Sequence, residues 1–353
     1  MKKKVLLIGN FKDTDKNSMK DYENKIYNNL CQNNNFTLEL CRPKQWIKSS
    51  NKLLIILQYF FELIFKRNFA LYHILDHSLI FVTLLFKKEK TLTTIHDIIP
   101  IVNELEINRK RSFFFRNLIF FINRSNKIIT ISETTKQDLL NNFNLNKKKI
   151  CVIYNGISNS FYKIEHFNNS SIIKNLKSTN KKVLIFLNPF YKNNFFSLEV
   201  IKKYENDYNE TLDLVCVGSS YQDFENKVKF LEIKSKIYYF RNLKINEINE
   251  LYNLCDCLLF PSINEGFGTP PIESMKAGTP VMCSNVAIFR ETIGWGYPLF
   301  DINVLIFSKN LRNILHDNNF KNILVNKGFK VQQKYSEADQ IQKHLDLYNE
   351  LLR

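Results

Sequence analysis

The stretch PSINEGFGTPPIESMKAGTPVMCSNVAIFRETIGWGYP, residues 261–298, decides the reading of the fold, because the residues that shape backbone gather there. The chain has only 9 Gly and 8 Pro in 353 residues, and five of each fall in this window. Just ahead of it, Leu258-Leu259-Phe260 predicts a buried strand that closes at Pro261-Ser262. Thr269-Pro270-Pro271 then predicts a helix start, with Thr269 as its cap and proline in the first turn, and Gly278 predicts its end.

Between strand and helix lies Glu265-Gly266-Phe267-Gly268. Its two glycines allow backbone to approach a ligand closely, and the free N–H groups of the next helix favour phosphate. Glu265 and Glu273 bracket this junction, so both carboxylates can address one ligand lying over it. A capping-box role for Glu273 is excluded, since counting from Thr269 that position falls on Ile272. Stabilisation by the helix dipole remains, worth about 0.3–1 kcal/mol.

EGFGTPPIE, with seven residues between Glu265 and Glu273, followed by AGTPV, closely resembles the nucleotide-sugar site of GT-B glycosyltransferases of family 4, the retaining glycosyl transferases of group 1. The resemblance implies an α/β fold of two Rossmann-like domains facing a central cleft, with a C-terminal helix crossing back to the N-domain. It also implies roles. Glu265 contacts donor-sugar hydroxyls, the backbone of Gly266, Phe267, Gly268 and Thr269 holds diphosphate and sugar, and Glu273 binds the ribose. Thr91 to Ile95, a strand that delivers His96-Asp97, resembles the family's N-domain strand end, whose His reaches the sugar. The other reading of His96 is a strand-end imidazole satisfied by Asp97.

The resemblance extends to Ile128–Ile131 with Ser132-Glu133, and to Ile150–Tyr154 with Asn155-Gly156. Leu243 falls in the segment whose backbone meets the base. Phe186 to Asn193 departs from the pattern: the family places a Gly and an Arg ahead of a Lys there, whereas this chain has Phe186 and Tyr191 and retains Lys192. The catalytic set implied is thus His96, Glu265 and Lys192, with no metal site and no cofactor beyond the nucleotide-diphosphate sugar donor. The implied reaction moves a hexose such as mannose to a lipid-linked or polysaccharide acceptor during surface glycan assembly, including lipopolysaccharide.

Length suits two domains of roughly 150 residues each. The expected divisions are an acceptor-binding domain 1–160, a linker 161–180 rich in Asn and Ser, a nucleotide-sugar domain 181–335 and a C-terminal helix 336–353. A formal charge of +16 points to an anionic partner. Zinc-finger spacing and RNP-like aromatic patterns are missing from the sequence, which argues against nucleic acid. The partners expected are the donor, a glycan or lipid-linked acceptor, and an anionic membrane touched peripherally.

Seven cysteines form neither a disulfide framework nor a zinc pattern. The apolar run after Met1-Lys2-Lys3-Lys4 is too short for a signal peptide, and no run reaches the roughly 18–20 residues that span a bilayer. A cytoplasmic protein on the inner face of the membrane is expected.

Several other groups invite functional readings. Asp13-Thr14-Asp15 matches the metal-binding DxD string, but it stands in a polar loop far from the nucleotide signature. His73 and His77 suit a structural or acceptor-facing role better than a metal site. Arg109 to Lys127 interleaves basic residues with Phe113–Phe115, Phe120 and Phe121, which suits either an anionic bilayer or a solvated basic face over a packed core. Val304 to Lys327 and Tyr335 to Arg353 read as helical. Two alternatives to a transferase stay open: a GT-B-fold nucleotide-sugar enzyme such as an epimerase, and a non-catalytic glycan- or lipid-binding descendant.

Overall fold

The computed structural model describes residues 2–12, 17–32, 35–44, 52–102, 120–167, 176, 179–187 and 191–353. Two compact units result: Met1–Tyr154 with Ala338–Arg353, and Asn155–Glu337.

The first unit is built on six parallel strands, β1 (Lys3–Ile8), β2 (Phe36–Cys41), β3 (Leu71–Ile74), β4 (Thr91–Ile95), β5 (Lys127–Thr130) and β6 (Ile150–Val152). Their order is β2-β1-β3-β4-β5-β6. Val5 and Leu7 of β1 enter one core with Tyr22, Ile26 and Leu30 of the helix Asn17–Leu30, and with Ile341, Leu347 and Tyr348 of the helix Glu337–Leu351. Leu6 and Ile8 enter a second core with Tyr59 and Leu63 of the helix Lys52–Leu63. The period of two thus buries both faces, which is why β1 reads as an unbroken apolar run. The C-terminal helix is part of the first unit's core.

The second unit has five parallel strands, β7 (Lys182–Phe186), β8 (Asp213–Val217), β9 (Lys236–Phe240), β10 (Cys257–Phe260) and β11 (Val281–Cys283), in the order β11-β10-β7-β8-β9. The chain moves outward from β7 to β9 and then returns to the other side of β7 for β10. The strand order therefore reverses between β7 and β10, where open α/β sheets leave a crevice beyond their carboxyl ends. In the first unit the same reversal falls between β1 and β3.

Some expectations are corrected. Residues read as the start of a linker are packed into the second unit: Phe161 is buried against Tyr252, and the Tyr162 and Ile164 amides donate to Asn249 and Asn253. Val304–Lys327 is two helices, Val304–His316 and Asn318–Gln332, because the Asp317 side chain accepts from the Asn319 and Phe320 amides and starts a new helix. All seven cysteines are free thiols. Among the described residues no helix is long and apolar enough to cross a membrane. Asp13-Thr14-Asp15 and residues 109–119 of the basic aromatic segment lie outside the described residues.

Candidate functional site

The carboxyl ends of β7 and β10 deliver two loops and two helix N-termini to the reversal point of the second unit. After β7 come Tyr191, Lys192 and Asn193, the last in the left-handed region at φ 55° as the cap of the helix Asn194–Tyr208. After β10 the loop Pro261–Gly268 leads into the helix Thr269–Lys276. The two loops are stitched together: the Tyr191 carbonyl accepts from the Ile263 amide at 2.9 Å and lies 2.7 Å from the Ser262 hydroxyl.

The cap of the second helix is Gly268, not Thr269. Gly268 adopts φ 81°, and a Cβ there would stand 2.5 Å from the Phe289 ring. The turn requires a left-handed residue and the ring leaves it no side chain, so only glycine fits. Thr269 becomes the first helical residue, which moves Glu273 beyond the first turn. The Phe267 side chain is buried, edge-on to Tyr335 at 5.2 Å.

Lys192 Nζ and Glu265 Oε1 form an ion pair of 2.8 Å, with side chains only 13% and 11% exposed. The ammonium also lies 4.2 Å from the centre of the Phe260 ring. The buried Ser262 Oγ sits 2.9 Å from the same carboxylate oxygen and 3.2 Å from the Asn264 carbonyl, so its one proton is divided among Glu265 and the Tyr191 and Asn264 carbonyls. Glu273 is half-buried and accepts from the Tyr252 hydroxyl at 2.9 Å. Burial, reinforced by the Glu273 charge, holds the Tyr252 phenol well above its ordinary pKa, so this hydroxyl remains a donor. Leu243 lies half-buried in the loop between β9 and the helix Ile245–Leu254. Phe186, at the end of β7, packs its ring 6.0 Å from that of Tyr252.

This geometry brings Lys192, Glu265, the Gly266–Thr269 backbone and Glu273 to one end of one sheet. Ser262 and Tyr252 escaped the sequence reading. Ser262 stood next to the strand-closing proline, and its position between β10 and the glycine loop is the signal that could have found it. Tyr252 lies on a preceding helix, and nothing local marks it.

In the first unit His96 is buried at the end of β4, with Nε2 2.8 Å from the Leu75 carbonyl. That partner can only accept, so Nε2 carries the proton and Nδ1 is the lone-pair nitrogen of the neutral ring. Burial lowers the imidazole pKa, partly opposed by Asp76. Asp97 does not satisfy His96; its carboxylate accepts from the Ile99 amide at 3.2 Å. At the β1–β3 reversal, Asn10 Nδ2 donates to Asp76 and Glu23, and Arg42 Nε pairs with Glu23 at 2.6 Å. His73 is wholly structural, its two ring nitrogens engaged by the Tyr348 and Thr94 hydroxyls.

Residues 33–161 match the family described as Glycosyltransferase Family 4, and residues 168–331 match Glycosyl transferases group 1. The O-antigen chain mannosyltransferase RfbU of Salmonella typhimurium is 31% identical over 202 residues, 57% of this chain and 53% of the relative. The serotype-specific mannosyltransferase WbdA of Escherichia coli is 24% identical over 276 residues, 75% of this chain and 34% of the relative. The chain thus spans about half or less of the length of these curated relatives. Among solved structures, Anabaena HepE in complex with UDP and glucose superimposes with a TM-score of 0.75 at 14% identity, covering 99% of this chain and 100% of that one. At this identity the likeness speaks for the fold.

Proposed function

The chain belongs to family 4 of the GT-B glycosyltransferases, the glycosyl transferases of group 1, and on that premise we propose that it moves a hexose, mannose foremost, from a nucleotide-diphosphate sugar to a lipid-linked or polysaccharide acceptor in surface glycan assembly. One observation carries the reading. Glu265 and Glu273 stand at the β7–β10 reversal on either side of a glycine loop and a helix N-terminus, beside Lys192. The relatives, an O-antigen chain mannosyltransferase and a serotype-specific mannosyltransferase, support the substrate class.

The chemistry needs charge neutralised on a departing diphosphate and on an oxocarbenium-like sugar. Lys192 and the N-termini of the helices Thr269–Lys276 and Asn194–Tyr208 supply fixed positive potential for the first. Glu265 is assigned to sugar hydroxyls and Glu273 to the ribose. Leu243 is assigned to the base, and His96 of the first unit to the sugar. Transfer proceeds with retention and without a metal or other cofactor, the leaving phosphate taking the acceptor proton. Peripheral contact with an anionic bilayer on the cytoplasmic side completes the proposal. Exposed Leu57, Phe61 and Phe65, followed by Arg67, support it.

The deciding experiment supplies GDP-mannose and other nucleotide sugars with lipid-linked acceptors and reads the released nucleoside diphosphate and the anomeric configuration of the product. An α-linked product from an α-linked donor is expected; an inverted product contradicts the retaining assignment. A second reading, a descendant that binds without transferring, is favoured by one observation: Lys192 is already paired with Glu265, with Phe186 at the end of β7 and Tyr191 directly before the lysine. Donor binding without turnover on every acceptor would select that reading.

A further inference from the structure

The element least explained by the donor site is the Tyr252 hydroxyl. A wholly buried phenol is aimed at a carboxylate from a neighbouring helix, although packing alone would be served by phenylalanine. The ring lies among Phe161 and Phe186, with centroids 5.8 Å and 6.0 Å away. The main chain is tied as well: the Thr279 hydroxyl donates to the Tyr252 carbonyl at 2.5 Å, joining the end of the helix Ile245–Leu254 to the turn that follows the helix Thr269–Lys276. Phenol and carboxylate are thus fixed to each other through two routes.

We infer that Tyr252 is a positioning residue for nucleotide recognition, holding the Glu273 carboxylate oriented toward the ribose hydroxyls of the donor. A hydrogen bond donated to a carboxylate favours the charged form and restricts its rotamers. Occupying Oε2 from the protein side sets the direction in which the carboxylate can accept from a ligand. A flexible glutamate would lose side-chain entropy on each binding event, whereas one held in advance has already lost it. Tyr252 touches no ligand in this scheme, and its contribution passes through Glu273. The inference rests on the assignment of Glu273 to the ribose given above.

The test is a calorimetric comparison of GDP and UDP with their 2′,3′-dideoxy analogues, for the parent protein, Glu273→Gln and Tyr252→Phe. The parent should prefer the tighter-binding ribonucleotide to its dideoxy form. Tyr252→Phe should weaken the ribonucleotide roughly tenfold while leaving the dideoxy form unchanged, so that the preference collapses. If Tyr252→Phe fails to fold, Thr279→Val, which releases only the Tyr252 carbonyl, should show a smaller loss of the same preference.

The outcomes separate the two claims. A parent that does not distinguish ribose from dideoxyribose, or a Glu273→Gln variant that keeps the full preference, overturns the ribose assignment of Glu273 and with it this inference. A preference lost in Glu273→Gln but retained in Tyr252→Phe, or in Thr279→Val where that variant takes its place, overturns the inference about Tyr252 alone.

Discussion

Glu273 shows how a residue's part in binding and its part in stability are entangled. Truncation to alanine removes the proposed ribose contact, and it also strands the buried Tyr252 hydroxyl without this acceptor. Leaving such a group unsatisfied costs about 1–3 kcal/mol. Glu273→Ala should therefore bind donor at least tenfold more weakly and also unfold at lower denaturant, whereas Glu273→Gln should keep most of the stability and lose the affinity. Equal stability of Ala and Gln variants in urea melts would mean the Tyr252 contact contributes nothing. The pair Glu265 and Glu273 was legible in the sequence because its spacing and glycines are local. Tyr252 was not, since it meets Glu273 only through the packing of two helices.

Elements were legible where apolar residues run unbroken, as in β1 and β10, and harder to read where that run breaks or is short: β2 lies at the sheet edge with a half-exposed pattern and passed unnoticed, as did the three-residue strand β11. Thr269 looked like a helix cap because its residue type suits that place, yet the backbone needed a left-handed residue and took Gly268. Gly268→Ala should thus be among the most harmful single changes at the site. It forces a strained φ and drives a methyl into the Phe289 ring, and a loss of 2 kcal/mol or more, on the order expected of strain plus overpacking, is predicted. A thermal melt that overlays the parent would show that the loop can adopt another path.

Packing of the C-terminal helix makes stability depend on pH. His344 and His73 are fully buried on and beside it, and burial lowers both pKa values, that of His344 to about 4. In the unfolded chain each would titrate near 6.5. Between these limits the unfolded state binds more protons, so stability falls as pH drops from about 6.5 toward 4 and is fully present above 6.5. For His344 the full effect is on the order of 3 kcal/mol. Replacing both residues by glutamine should flatten that part of the urea-denaturation profile. An unchanged slope between pH 6.5 and 4 would place the acid sensitivity elsewhere.

For the molecule as a whole, the charge of +16 and the exposed apolar side chains after Leu57 bear on where it works. Each basic residue near an anionic surface is worth about 1 kcal/mol, and the attraction decays within a Debye length of roughly 8–10 Å. Co-sedimentation with vesicles containing anionic lipid should exceed that with neutral vesicles and fall with moderate salt, and Phe61→Ser with Phe65→Ser should reduce it. Binding that ignores lipid charge and both substitutions would contradict peripheral docking through this face. Chelator should leave transfer largely intact. Loss of turnover in EDTA with recovery on Mn²⁺ would contradict the metal-independent assignment.

The central claim is that a nucleotide-diphosphate sugar binds at the β7–β10 reversal through Glu265 and Glu273. Its most direct test is calorimetric titration of a panel of nucleotide sugars, GDP-mannose among them, into the parent, Glu265→Ala and Glu273→Ala proteins. The account predicts saturable binding of at least one donor to the parent and at least tenfold weaker binding to each variant, with both variants folded. Unchanged donor affinity in the two folded variants, or no binding of any donor to the parent, would contradict it.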